Sequence, residues 1–117
     1  MEVLTADQRR EQFKTEWSTA LDSRDDPLVV FESYIQWLLE NTKDEDTILE
    51  ILEQAARTFR NDRYYKFDLR YLQLWMAYIN RVDKPIEVYQ YLMENDIGTI
   101  FSQFYESYAI ALERDGK

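Results

Sequence analysis

The stretch YYKFDLRYLQLWMAYIN, residues 64–80, decides the fold of this chain. Its apolar residues recur with the period of an α-helix, yet they extend over roughly 220° of the helical surface. A helix at the surface of a globular protein needs an apolar arc of only about 100°. A helix over residues 68–81 must therefore pack between neighbours on two sides, or keep part of its apolar surface for a partner. Trp75 and Tyr78 lie on the wide side of this arc.

Composition limits the functions open to the chain. Its 117 residues include 14 Lys plus Arg and 23 Asp plus Glu, a formal net charge of −9, and neither Cys nor His. The negative field opposes binding to nucleic acid and to anionic membranes. The missing side chains exclude the usual zinc sites and histidine-activated nucleophiles. We expect an intracellular, non-catalytic protein with no metal or cofactor and no nucleic-acid or membrane partner.

Helical patterns recur along the whole chain. Gly and Pro occur only twice each, which is too few for a turn-rich β fold. Amphipathic periodicity predicts further helices over residues 28–40, 47–60, 85–95 and 100–113.

Local signals mark the predicted helix ends. Asp26 before Pro27 is typical of a helix start, because the carboxylate caps free N–H groups and proline suits the first helical position. Gly98 offers a positive φ beyond the end of the helix over 85–95. Thr99 is placed to cap the last helix.

The N-terminal segment differs from the rest of the chain. Thr5 and Gln8 have the spacing of a capping box, which predicts a helix start. A narrow apolar stripe follows, consisting of Phe13, Trp17, Ala20 and Leu21. We therefore expect an extra helix within residues 1–24 that docks on a domain formed by residues 25–117.

The charged clusters have simple structural interpretations. Arg9-Arg10 and Arg60/Arg63 are small basic islands, for which we expect surface salt bridges to the abundant carboxylates. The pair Asp25-Asp26 could serve acid–base chemistry, but its position before Pro27 favours a helix start.

Pairs of helices recur along the sequence. An aromatic-x-x-Tyr pattern appears in three of the predicted helices, as Phe31/Tyr34, Trp75/Tyr78 and Tyr105/Tyr108. The spacing approaches the roughly 34 residues of a tetratricopeptide repeat. The predicted fold is all-α, a tandem helix-turn-helix, tetratricopeptide-like array of about six helices in a right-handed superhelical stack. The successive repeats are 27–60, 68–95 and 99–114, and we expect the last to be incomplete, with the array truncated at its C-terminal end.

Three blocks of this sequence, in the same order, resemble the N-terminal domain of the Bub/Mad spindle-checkpoint family. They are DDPL with the following F, YI and W (residues 25–37), YKFDLRYLQLWMAY (65–78), and IGT followed by FY and YA (97–109). The resemblance covers roughly residues 25–113. The residues that carry its motifs are Asp26, Pro27, Trp37, Tyr65, Asp68, Arg70, Gly98 and Tyr105. Departures from the family pattern at Phe31, Phe67, Leu69 and Ile100 leave its spacing unchanged.

The resemblance implies a non-catalytic docking domain of the mitotic spindle assembly checkpoint, acting in the nucleus at kinetochores. It implies binding to a helical motif of the large kinetochore scaffold protein (Blinkin-type). The implied partner-binding residues are Trp75, Tyr78, Asn80 and Arg81. In the Mad-type branch, it implies contact with the activator of the anaphase-promoting complex within the mitotic checkpoint complex. A full-length Bub-type protein would carry a separate Ser/Thr kinase domain.

The residues alone leave two other function classes open. One is a tetratricopeptide-like scaffold or co-chaperone domain of another pathway, and the other is a helical enzyme using carboxylates and Tyr. The last predicted helix adds a further expectation. We expect Phe104, Tyr108 and Leu112 to be exposed there, and the chain to self-associate through them.

Overall fold

A computed structural model of the chain describes residues 4–23 and 26–116. Within these residues every regular element is helical, and there are six α-helices and one short 3₁₀ helix. The helices are α1 (Ala6–Ser23), α2 (Leu28–Asn41), α3 (Glu45–Phe59), the 3₁₀ helix (Tyr65–Phe67), α4 (Leu69–Ile79), α5 (Pro85–Glu94) and α6 (Ser102–Gly116). The predicted all-α class is confirmed, and the largest error in a helix end is at α6, which ends at residue 116 rather than 113.

The chain forms two compact units, one up to Ile51 and the other from Leu52 onward. The division predicted from the sequence, with an extra helix followed by three repeats, stays a prediction, as does the superhelical handedness. In the part of the chain described, no helix is both long and apolar enough to cross a membrane.

In the first unit, α1 begins with the predicted capping box. The N–H of Thr5 donates to Gln8 Oε1 at 2.9 Å, and the N–H of Gln8 donates to Thr5 Oγ1 at 3.1 Å. Phe13 then stacks on Tyr34 of α2, with ring centroids 4.6 Å apart, and meets Phe31 edge-on at 5.1 Å. The docking of α1 through a few large side chains is thus present within this unit.

Two predictions about α1 are wrong. Leu21 is 57% exposed rather than part of the packed stripe. Arg9 forms the expected salt bridge to a carboxylate but is buried rather than on the surface. Its guanidinium lies 5.2 Å from the Tyr34 ring centroid and pairs with Glu16 at 3.1 Å. The cation therefore covers the aromatic cluster.

The start of α2 partly matches its prediction. The N–H of Leu28 donates to Asp26 Oδ1 at 3.3 Å, as expected for a capping carboxylate. Pro27 directly precedes the helix rather than occupying its first position. Asp25, the other acidic residue of this motif, lies outside the described residues.

In the second unit, the core is almost entirely aliphatic and aromatic. Its most deeply buried side chains include Leu52, Ala55, Ala56, Tyr71, Leu72, Leu92, Ile97 and Phe104. Gly98 closes the turn after α5 with φ +74°, and its N–H donates to the carbonyl of Lys66 at 2.9 Å. A Cβ at this position would lie 2.6 Å from Leu72 Cδ1. The predicted positive φ of Gly98 is confirmed.

The last helix corrects two predictions. It begins at Ser102, after a turn in which the N–H of Phe101 donates to the carbonyl of Gly98 at 3.1 Å, so Thr99 is too early to cap it. Phe104 is fully buried, and Tyr108 is half-buried and stacks on Tyr89 at 4.9 Å.

Self-association through α6 therefore loses most of its expected surface, because α5 already covers Phe104 and much of Tyr108. Of the three residues expected to be exposed, only Leu112 is, at 46%. Self-association stays a prediction, and a sedimentation experiment showing a strict monomer at high concentration would remove it.

Candidate partner-binding cleft

The first turn of α4 is fixed by an ion pair at its start. Asp68 caps the helix, since its Oδ1 accepts from the N–H of Arg70 at 2.9 Å. Its other oxygen, Oδ2, pairs with Arg70 Nη2 at 2.6 Å. The hydrogen bonds from Arg70 hold the pKa of the Asp68 carboxyl below its usual range, against the opposing effect of burial. This arrangement sets where α4 begins, and hence which of its residues face α3 and α5.

One turn further along, Tyr71 attaches α4 to α3. Its ring is fully buried, and its hydroxyl donates to the backbone carbonyl of Ala56. Ala55 and Ala56 are both buried and have no long side chain to hold the helices apart. Burial raises the pKa of the Tyr71 phenol, an effect that the neighbouring Trp75 indole partly offsets. The phenol stays protonated at neutral pH and remains a hydrogen-bond donor.

Beyond Tyr71, the same face of α4 opens into a cleft of about 260 Å³, which we call the Trp75 cleft. Its lining residues come from α3 and the residue directly after it, from α4 and from α5, and are Glu53, Ala56, Arg57, Arg60, Trp75, Tyr78, Glu87, Val88 and Tyr91. The ring centroid of Trp75 lies 5.9 Å from that of Tyr78 and 5.6 Å from that of Tyr91. Aromatic side chains therefore form much of the surface that a ligand would meet.

Trp75 carries a polar group that its surroundings do not satisfy. The side chain is 6% exposed, and among the described residues its Nε1 is buried and has no hydrogen-bond partner. A buried donor without an acceptor costs about 1–3 kcal/mol. This nitrogen is enclosed by protein, so a ligand in the cleft would contact the Trp75 ring rather than its N–H.

Charged side chains of both signs border the aromatic surface. Arg57 and Glu53 are only loosely paired, with Nη1 and Oε1 4.0 Å apart, and Arg60 and Glu87 complete the border. Burial raises the pKa of the Tyr78 phenol, Glu53 raises it further, and Arg57 opposes them. Tyr78 therefore presents a neutral hydroxyl beside the ring surface.

The structure brings together two of the four predicted partner-binding residues. Trp75 and Tyr78 both line the Trp75 cleft. Asn80 is exposed and lines a different hollow of about 540 Å³, formed with residues of α5 and α6. Arg81 is half-buried, and its Nη1 donates to the carbonyl of Ala77 at 2.9 Å. It is not among the lining residues of either hollow.

Sequence reasoning missed the contribution of the neighbouring helices to the cleft. Val88 and Tyr91 of α5 and Arg57 of α3 are lining residues that were not predicted. The helix over 85–95 is apolar around most of its circumference, and this signal could have pointed to α5. Periodicity within one helix does not indicate which residues of another helix lie opposite.

The predicted motif residues occupy varied environments. Tyr65 is buried, with its ring centroid 4.8 Å from that of Phe59. Trp37 is half-buried, whereas Tyr105 is 48% exposed. Whether Trp37 and Tyr105 have the structural role that the resemblance assigns to them stays a prediction.

The chemistry available in the cleft is recognition by apolar contact, hydrogen bonding and charge. In residues 4–23 and 26–116, no three potential metal-ligating His, Cys, Asp or Glu side chains come together. The cleft combines aromatic rings and charges of both signs, which are typical components of protein–protein hot spots.

Residues 8–117 match the family described as Mad3/BUB1 homology region 1. The chain belongs to this family. The resemblance found in the sequence motifs is thereby confirmed, and the chain is the non-kinase homology region of a spindle checkpoint protein, with a place in mitosis and the cell cycle.

Curated relatives agree with this assignment. The mitotic spindle checkpoint component mad3 of Schizosaccharomyces pombe is 40% identical over 99 residues, covering 81% of this chain and 32% of the relative. The human mitotic checkpoint serine/threonine-protein kinase BUB1 beta is 31% identical over 108 residues, covering 90% of this chain and 10% of the relative. The chain thus spans a third or less of each of these two relatives.

Solved structures support the fold. A chain in a crystal structure of the mitotic checkpoint complex is 36% identical, with a TM-score of 0.86 over 94% of this chain and 53% of that one. The N-terminal domain of the checkpoint component BUB1 matches with a TM-score of 0.83 at 23% identity, over 94% of this chain and 60% of that one. The predicted tetratricopeptide-like fold is confirmed by this likeness.

Proposed function

We propose that this region is a non-catalytic docking domain that binds a helical segment of a kinetochore scaffold protein in the Trp75 cleft. The segment would lie along the surface formed by α3, α4 and α5. Short amphipathic helices bind such grooves by placing apolar anchors at i and i+3 or i+4. This function would place the protein at kinetochores in the nucleus.

The aromatic cleft around Trp75, with Tyr78 and Tyr91 packed against its ring, is the observation that carries this proposal. Apolar anchors of the partner would cover Tyr78, Val88 and Tyr91. Aromatic residues bury a large area at low entropic cost, which favours them as anchors. The mixed charges of Glu53 and Arg57 would then fix the direction in which the segment lies.

Calorimetric titration with a synthetic helical-motif peptide of the kinetochore scaffold tests this function. We expect saturable one-to-one binding that Tyr78→Ala weakens at least about tenfold, a loss of about 1.4 kcal/mol. Tyr105→Ala is the matched control, because it removes a tyrosine that does not line the cleft and should leave the affinity within about twofold. Equal affinities for the wild type and the folded Tyr78→Ala variant would refute docking in this cleft.

A second candidate function is favoured by the similarity to a chain of the mitotic checkpoint complex. In this case the domain would be a Mad-type subunit that contacts the activator of the anaphase-promoting complex. A pull-down with the purified activator distinguishes the two functions. Capture of the activator, together with no binding of the scaffold peptide, would favour the complex subunit over the kinetochore docking domain.

A further inference from the structure

The connection between α3 and α4 places cations and exposed aromatic rings close together in the chain. Four of its residues form what we call the connection patch, namely Arg63, Tyr64, Lys66 and Phe67. Tyr64 is 87% exposed and Phe67 is 55% exposed, whereas Tyr65 between them is buried. Tyr65 anchors this connection in the core, whereas the exposed rings of Tyr64 and Phe67 do not contribute to the core.

Hydrogen bonds hold this connection in a defined conformation. Asp62 Oδ1 accepts from the N–H of Tyr64 at 2.8 Å and from that of Tyr65 at 3.4 Å. The N–H of Phe67 donates to the carbonyl of Tyr64 at 3.2 Å, and the carbonyl of Lys66 accepts from Gly98 at 2.9 Å. Because the backbone is already ordered, a ligand binding here would incur little additional cost of ordering it.

The carboxylates beside the connection patch already have partners, which leaves the cations of this region without counterions. Asp62 is engaged with backbone N–H groups, and Asp68 is engaged with Arg70. Among the described residues, Arg60, Arg63 and Lys66 take part in no ion pair. The salt bridges expected for Arg60 and Arg63 are therefore absent in this part of the chain, since the nearest carboxylates in sequence have other partners.

We infer that the connection patch is a second docking surface, which binds an acidic linear segment of a partner protein that carries an aromatic residue. The cations of Arg63 and Lys66 complement carboxylates, and the rings of Tyr64 and Phe67 provide apolar contact for the aromatic residue. Single-stranded nucleic acid also combines negative charge with flat rings. We favour a peptide because the net charge of −9 repels a long polyanion, whereas a short acidic segment can be drawn to a local cationic site.

The test uses the whole chain and fluorescein-labelled peptides with the sequences EEEFEEE and QQQFQQQ, followed by fluorescence anisotropy. We expect saturable binding of EEEFEEE that added salt weakens. The double variant Arg63→Glu/Lys66→Glu should lower the affinity at least about tenfold. Tyr64→Ala should lower it less, and provides a second variant at a position so exposed that folding should be unaffected.

Lys43→Glu/Lys84→Glu is the matched control, because it changes the net charge by the same amount at two exposed residues outside the patch. Both lie at helix N-terminal ends, where a negative charge is tolerated. Binding within about twofold of the wild type is expected for this control. The inference fails if EEEFEEE does not bind, if QQQFQQQ binds equally well, or if the control loses as much affinity as the patch variant. Preferential binding of a dT12 oligonucleotide would also overturn it.

Discussion

The two units each contain an aromatic cluster, and the clusters differ in what covers them. In the first unit, the rings of Phe13, Phe31 and Tyr34 pack between α1 and α2, and Arg9 lies over Tyr34. In the second unit, Tyr78 and Tyr91 both contact Trp75, but the three rings line an open cleft.

The difference shows that aromatic content alone does not distinguish a core from a binding surface. Arg9, the cation over the first cluster, is paired with Glu16, whereas the indole N–H of Trp75 lacks a partner among the described residues. The two clusters therefore differ in whether the polar groups at the edge of their rings have partners. A closed cluster contributes chiefly to stability, and we expect an open cluster to contribute chiefly to binding.

The largest expected effect is on the closed cluster. Phe13→Ala removes a ring that is 6% exposed and packs on two others. We expect the free energy of unfolding to fall by about 3–5 kcal/mol, as is typical of buried Phe, measured by chemical denaturation. Leu21→Ala on the same helix is the control, with a change within about 0.5 kcal/mol. A loss below about 1 kcal/mol for Phe13→Ala would show that this cluster does not stabilise the fold.

Gly98→Ala tests whether the second unit can lose stability while it keeps its binding function, because Gly98 lies outside the Trp75 cleft. Both the positive φ and the short approach to Leu72 oppose a Cβ at this position. We expect the variant to lose about 1–3 kcal/mol of stability while it keeps its affinity for the scaffold peptide at temperatures where it is folded. Gly116→Ala has open space around the added methyl group and should be nearly neutral. A stable Gly98→Ala variant would contradict the described turn.

Trp75→Phe separates binding from stability within the open cluster. The substitution removes the unpartnered N–H and part of the ring, so the gain and the loss partly cancel. We expect less than about 2 kcal/mol of lost stability, with peptide affinity reduced at least about fivefold. Thermal unfolding and calorimetry on the same sample provide both values. Unchanged affinity would mean that the Trp75 indole does not contribute to binding.

The smallest expected effect comes from removing the charge of Asp68, which caps the start of α4. The folded-state pKa of Asp68 is depressed, so its charge stabilises the fold above the unfolded pKa of about 4, and this contribution is lost as the pH falls through the folded pKa. Asp68→Asn should cost less than about 1 kcal/mol at pH 7. The difference from the wild type should shrink towards pH 3. A constant difference over this range would exclude a charge effect.

The sequence predicted features that depend on neighbouring residues. Helix positions, the Thr5–Gln8 capping box and the positive φ of Gly98 follow from local backbone chemistry, and the structure contains all of them. The sequence motifs also identified the family, because their order and spacing are specific to it.

Features that depend on distant contacts were not predictable in this way. The hydrogen bond from Tyr71 to the carbonyl of Ala56 joins residues 15 positions apart, and periodicity contains no information about it. The burial of Arg9 has a similar cause, since it depends on the position of Tyr34 in another helix. For this reason, the sequence predicted only part of the Trp75 cleft. The sequence placed Trp75 and Tyr78 on one face of α4, but the opposing residues of α3 and α5 are determined by packing.

The most direct test of the open cluster is the indole N–H signal of Trp75 in a ¹H–¹⁵N NMR spectrum. The chain has three Trp residues, so three indole signals are expected, and the one lost in Trp75→Phe identifies Trp75. We predict that adding the scaffold peptide shifts this signal as the peptide covers the Trp75 cleft, while the signals of Trp17 and Trp37 stay in place. An unmoved Trp75 signal at saturating peptide would contradict the proposal that this cleft is the docking site.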